Sequence, residues 1–180
     1  MAMKAWLAGL DEFAKLYGVV RSGAANWRRR GLLTDEQAII VSGSPVWPLG
    51  FAVEFGETTP YRKRLVGEAL EQVKAAQGQG RLVTAAADVD PLCGNAEITA
   101  LFGWARNYVN VVRNRDDTFP APDYEVSGAP IWLVGSIENW ARSKDRVMDA
   151  AVLKALKDKT YDGPGSKVLV RGAAANAPAE

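Results

Sequence analysis

The chain has 180 residues, 48% hydrophobic and 24% charged, with a net charge of +1. This is an ordinary globular composition that excludes wholesale disorder and leaves room for one medium domain or two small ones. It holds no histidine and a single cysteine, Cys93, which excludes imidazole-dependent nucleophile systems, imidazole-requiring zinc sites and an internal disulfide. No apolar run reaches the roughly 18 residues of a membrane span. The start from Met1 to Leu7 has no long apolar core before Asp11, so no secretory signal is expected. The expectations are a cytoplasmic protein that is not an enzyme, without membrane, metal, cofactor or small-molecule substrate.

In chain order, Asp11 to Gly18 reads as a helix closed by its glycine, and Arg21 to Arg30 as a second helix. Ile39-Ile40-Val41, Ser42-Gly43 and Pro45-Val46-Trp47 read as two short strands around a turn. From Pro60 to Gln77 the chain is charged and apolar-periodic, and a helix from Arg62 to Lys74 presents a stripe of Leu65, Ala69, Leu70 and Val73. That stripe must bury against something, as a linker helix, an interdomain strut or a dimer surface. Asn95 is a good N-cap, Glu97 suits a first helical turn, and Ile98, Leu101 and Phe102 share one face before Gly103. A helix from Arg106 to Arg115 follows, with Val109 and Val112 inward. Phe119-Pro120-Ala121-Pro122 must be extended or turned. Tyr124-Glu125-Val126 and Ala129 to Leu133 form a second hairpin around Ser127-Gly128, and Ser136 caps a helix carrying Ile137 and Trp140. A helical segment from Asp145 to Tyr161 stops at Gly163-Pro164-Gly165, and the tail from Arg171 to Glu180 reads as disordered.

These two series are related by an offset of 85 residues, with 12 identities between segments 11–50 and 96–135 and no gap. Chance gives roughly two or three for average composition. The identical pairs include Glu12/Glu97, Gly18/Gly103, Arg21/Arg106, Arg28/Arg113, Arg30/Arg115, Ser42/Ser127, Gly43/Gly128 and Trp47/Trp132. The expected fold is mainly α with small β wings (α+β), as two tandem winged helix-turn-helix domains. They span residues 1–85 and 86–170, each with a C-terminal helix, before a tail at 171–180.

The stretch from Glu97 to Ala141, with its Phe119-Pro120-Ala121-Pro122 segment, Gly128 turn, Trp132 and closing Trp140-Ala141, resembles the winged helix of phage excisionases and of AlpA-like and MerR-type regulators. Asp11 to Leu33 resembles the same pattern more loosely, carrying Thr34-Asp35-Glu36-Gln37 where the Phe-Pro-x-Pro segment would stand. The resemblance covers about 40–50 residues of each repeat and speaks to fold more than to biological role.

Charge distribution indicates where a polyanion would bind. Residues 19–33 hold four arginines and no acid, and residues 104–115 hold three and no acid. A helix in the major groove reads base edges with its outer side chains. The candidates are Arg21, Ser22, Asn26 and Arg29 in the first series and Arg106, Asn107, Tyr108 and Asn110 in the second. Arg28, Arg30, Arg113 and Arg115, toward the helix ends, suit phosphates, and the wing residues Ser44 and Ala129 suit the backbone or minor groove. Trp27, Trp47, Trp132 and Trp140 read as core, Trp104 is open, and Cys93 reads as a small buried filler. The leading expectation is a sequence-specific double-stranded DNA-binding protein, nucleoid-associated in the cytoplasm, a transcriptional regulator or excisionase-like architectural factor, with self-association or cooperative assembly on DNA. The alternatives are a DNA-organising, segregation or small-terminase-like packaging protein, and a protein-interaction module that has lost DNA binding.

Overall fold

The computed structural model describes residues 3–60 and 63–169. Among these the fold is α+β, with eight α-helices and two small antiparallel sheets. The first half runs β1 (Leu7–Ala8), α1 (Leu10–Leu16), α2 (Arg21–Arg29), β2 (Ile39–Val41), β3 (Ser44–Pro48), α3 (Leu49–Thr58) and α4 (Gly67–Gln77). After a short 3-10 turn at Ala86–Asp88, the second runs β4 (Leu92–Cys93), α5 (Asn95–Phe102), α6 (Tyr108–Arg115), β5 (Tyr124–Val126), β6 (Ala129–Leu133), α7 (Val134–Ser143) and α8 (Ala150–Lys157). The sheets have the orders β1-β3-β2 and β4-β6-β5. Their registers agree at an offset of 85: Ala8 faces Trp47 as Cys93 faces Trp132, and Ile39 faces Val46 as Tyr124 faces Ile131.

Several elements depart from the sequence expectation. The edge strands β1 and β4 were not expected, because two residues carry no readable alternation. The helix expected from Arg62 to Lys74 is α4, Gly67–Gln77, with Leu65 outside it and Val66 extended as its N-cap; Arg62 lies outside the described residues. The cap of α5 is Gly94 rather than Asn95, because the Glu97 carboxylate reaches back to the Gly94 N–H (2.9 Å) and Asn95 is drawn into the first turn. Helix α7 begins at Val134, two residues before Ser136. The tail 171–180 also lies outside the described residues.

Strand alternation divides the core into three. Trp47 faces a cluster with Phe13, Leu16, Leu49 and Phe55, and Trp132 faces one with Ile98, Leu101, Val112, Phe119 and Trp140. On the opposite strand faces, Val41 and Val46 meet Val126 and Ile131, joined by Ala5, Leu7, Val89, Leu92 and Tyr124. Both hairpins are therefore apolar on two faces, and the third core is shared between the halves. The 85/86 boundary is not a free linker. Gly50 N–H donates to Val83 O at 2.9 Å, and Ala86 N–H to the Gln37 side chain at 2.7 Å. Cys93 is fully buried, as expected of a filler, and burial pushes its thiol pKa well up, with Glu97 and Asp123 adding to the shift.

Two reciprocal polar contacts flank the shared core. Both hairpins turn through two residues of positive φ, Ser42 (47°) with Gly43 (79°) and Ser127 (49°) with Gly128 (75°), the type I′ arrangement. Ser42 donates its N–H and Oγ to the Glu97 carboxylate, both at 2.7 Å, and accepts the Ala96 N–H at 3.0 Å. Ser127 donates its N–H (2.9 Å) and Oγ (2.7 Å) to Glu12, and accepts the Asp11 N–H at 3.1 Å. Each hairpin tip thus caps the first helix of the opposite half. The approach is close enough that a Cβ at Gly9 or Gly94 would collide with the Ser127 or Ser42 Oγ. The two contacts are covered differently. Gly43 exchanges backbone bonds with Gly165 (2.9 Å) and Leu169 (3.0 Å), whereas Gly128 is exposed.

Replacing Glu97 by alanine leaves the Ser42 and Gly94 donors without their acceptor and is expected to cost about 2–4 kcal/mol. In chemical denaturation, Ser42→Ala and Glu97→Ala should fall short of additivity by about 1 kcal/mol, whereas Ser127→Ala and Glu97→Ala, which act on separate contacts, should simply add.

Candidate nucleic-acid interface

Helix α2 follows a left-handed turn at Gly18 (φ 62°). Its inner face buries Ala24 and lays Trp27 against Tyr17 (ring centroids 6.0 Å apart) and Phe55 (5.4 Å). Arg21, Ser22, Asn26 and Arg29 are exposed along the helix, and Arg30 is exposed at its C-cap. The amphipathic split follows from the sequence Arg-Ser-Gly-Ala-Ala-Asn-Trp-Arg-Arg, in which apolar positions three apart share one side.

Helix α6 follows the matching turn at Gly103 (φ 62°) and buries Val109 and Val112, as expected. It starts at Tyr108, two residues later than the sequence suggested, because Asn107 takes a left-handed conformation (φ 67°). Arg106 and Asn107 therefore stand in the turn before the helix, exposed, with Tyr108 and Asn110 exposed in its first turn and Arg115 at its end. Trp104, left open by the sequence, belongs to the core periphery: it stacks on Phe102 (4.5 Å) and meets Tyr108 (5.3 Å) and Trp140 (6.4 Å) edge-on.

The first acid-free cluster of the sequence does not remain acid-free in space. Arg21 bonds both Asp11 carboxylate oxygens at 3.0 Å. Arg28 clasps Asp35 through two bonds of 2.7 and 2.6 Å, which hold that carboxyl below its ordinary pKa. Arg113 lies over the Trp132 ring at 5.1 Å. Thus two of the four residues expected to bind phosphate, Arg28 and Arg113, are turned toward partners of their own. Arg29, Arg30, Arg106 and Arg115 have no ion pair among the described residues. The Arg21 pair is exposed, and such pairs are worth about 0–1 kcal/mol, so a phosphate can replace the acid.

The hairpin tips are engaged within the molecule, since Ser42 and Ser127 bond the opposite half. Ser44 remains exposed and Ala129 half-buried; they line one narrow cleft with Arg21 where the hairpins meet. Tertiary structure adds cations that sequence reasoning missed. Arg146 lines the same cleft as Tyr108 and Arg115 and lies over the Trp140 ring at 5.0 Å, and Lys63 covers Trp27 at 4.8 Å. The run Arg142, Lys144, Arg146 after Trp140 was the available signal, but only the fold, which lays the turn after α7 beside α6, brings Arg146 to Tyr108 and Arg115.

No family model matches the chain, and no curated protein or solved structure matches it. No helix of the described residues is long and apolar enough to cross a membrane, and no cluster of potential metal ligands occurs among them.

The left-handed Asn107 is expected to be sensitive to shape. Asn107→Val should lower thermal stability by about 1–2 kcal/mol, since a β-branched side chain opposes that backbone, whereas Asn107→Gly should leave it unchanged within about 0.5 kcal/mol.

Proposed function

We propose that the chain is a double-stranded DNA-binding protein, formed from a duplicated winged helix-turn-helix, that offers α2 and α6 to the major groove as a transcriptional regulator or excisionase-like architectural factor. One observation carries this reading. At the same point of two matching element orders, a left-handed glycine turn leads into a helix with a buried inner face and an outer face of arginines and amides. Asparagine and arginine on such a face supply bidentate donors and acceptors for adenine and guanine, worth about 1–3 kcal/mol of discrimination each.

The reciprocal tip contacts refine the proposal. Ser42 meets Glu97 as Ser127 meets Glu12, and an exchange in which each side gives what it receives is the mark of a two-fold relation. Helices related in that way read inverted half-sites, about one helical turn (~34 Å) apart when they enter successive grooves. The half-sites are not identical, since Asn26 and Arg29 stand where the second half has Val111 and Asn114. With the tips engaged internally, contact falls mainly on the helices and on Ser44. Cooperative assembly on DNA is part of the proposal.

A second reading, a protein-interaction module, draws on the acids that engage Arg21 and Arg28. Selection of bound fragments from random DNA, followed by anisotropy titration from 50 to 200 mM salt, separates the two. DNA binding predicts an inverted, imperfect motif and a log–log salt slope of about −3 to −4, from the four unpaired arginines at roughly 0.9 each. Arg29→Ala with Arg30→Ala should make the slope shallower by about 2, and Asp35→Asn should tighten binding by releasing Arg28. Absence of salt-sensitive binding at about 50 mM overturns the proposal.

A further inference from the structure

In the first half a single side chain closes the outer edge of β1. Gln77, buried at the end of α4, accepts the Leu7 N–H at 2.9 Å and donates to the Leu7 carbonyl at 2.7 Å. Its carboxamide thus replaces one rung of a β-ladder. The second half has the same strand edge without that plug. Val134 N–H donates to Pro91 O at 2.9 Å and Cys93 pairs with Trp132, so the intervening Leu92 N–H and C=O point away from β6. Neither group meets a partner among the described residues. Helix α8 ends at Lys157, and Asp162, 85 residues beyond Gln77, is exposed in non-helical chain.

What stands there instead is a cavity of about 300 Å³, lined by Leu92, Ile40, Leu156, Tyr161, Ala87 and Glu97 among others. The matching space in the first half, bounded by Glu12, Ala76, Gln77 and Glu125, measures only about 60 Å³. A volume near 300 Å³ is at the lower end for ligand pockets, and the walls are mixed, with Asp90, Glu97 and Lys159 beside the apolar Ile40, Leu92 and Leu156. Buried backbone donors and acceptors are rarely left without partners.

We propose that this cavity binds a small molecule with a carboxamide edge, an N–H donor beside a carbonyl acceptor, which pairs with Leu92 as Gln77 pairs with Leu7 and rests an apolar body on Ile40 and Leu156. Because Ile40 belongs to the first hairpin and Leu156 to the last helix, the ligand ties the two halves together. The proposal does not depend on DNA binding.

Benzamide is a suitable probe, with N,N-dimethylbenzamide as a control that keeps the ring and carbonyl but lacks the N–H donor. In a two-dimensional amide NMR titration of the full chain, benzamide should shift the Leu92 resonance saturably with a Kd of about 1 mM, and the control should bind at least tenfold more weakly. Thermal stability should rise with benzamide concentration. Ala87→Trp, a change at an exposed lining residue, should abolish the Leu92 response while the rest of the spectrum stays folded. No saturable Leu92 shift up to about 20 mM, or an equal response to both compounds, overturns the proposal; the first result means that only water occupies the cavity.

Discussion

Glu12 and Glu97 each serve two parts of the molecule at once. Each sits in the first turn of its own helix, where it satisfies the N–H of the glycine before that helix, and each accepts both donors of a serine from the opposite half. An ionised carboxylate has about four acceptor sites, so it can do this where a glutamine, with one carbonyl oxygen, cannot. The serines are costly at left-handed hairpin positions, which asparagine or glycine fill more readily. Their Oγ atoms explain the choice, because each both donates to the carboxylate and accepts a helix N–H. Charge-assisted bonds of this kind, largely shielded from water, are roughly twice as strong as neutral ones.

These contacts, with the apolar layer between the hairpins, decide what surface remains for a partner. A hairpin whose tip is bonded and whose two faces are buried cannot also probe a groove. Exposed arginines and amides remain on α2, on the turn before α6 and on α6 itself. There the arginines divide by geometry rather than by sequence. Arg28 and Arg113, identical at the 85-residue offset, are both drawn inward, one to a carboxylate and one to an indole face. Arg30 and Arg115, also matched at that offset, have no ion pair among the described residues.

The halves differ most where their last helices end. Eleven residues in α4 carry Gln77 to the edge of β1, whereas eight in α8 stop short of β4. The segment from Gly163 to Leu169 then crosses to the first hairpin tip, and nothing described takes that place at Gly128. The result is one half sealed by its own side chain and one with an open, polar-edged cavity. At the 85-residue offset α8 ends five residues before the position of Gln77, and that shortfall separates a structural plug from a candidate binding site.

The sequence by itself determined the helix pairs, the two Ser-Gly hairpins and the buried tryptophans, because apolar period, glycine turns and proline breaks are local signals that act within a few residues. It also located the arginines that α2 and α6 expose. It did not reveal β1 and β4, since a two-residue strand exists only by virtue of its partner. Nor did it show that Asp11 and Asp35 reach Arg21 and Arg28, that the hairpin tips dock on Glu97 and Glu12, or that Leu92 lacks what Leu7 finds in Gln77. The tip contacts with Glu12 and Glu97 join residues as many as 115 positions apart, and only the folding of one half against the other brings them within bonding distance. The Arg21, Arg28 and Gln77 contacts lie within the first half and depend on how its own helices and strands pack.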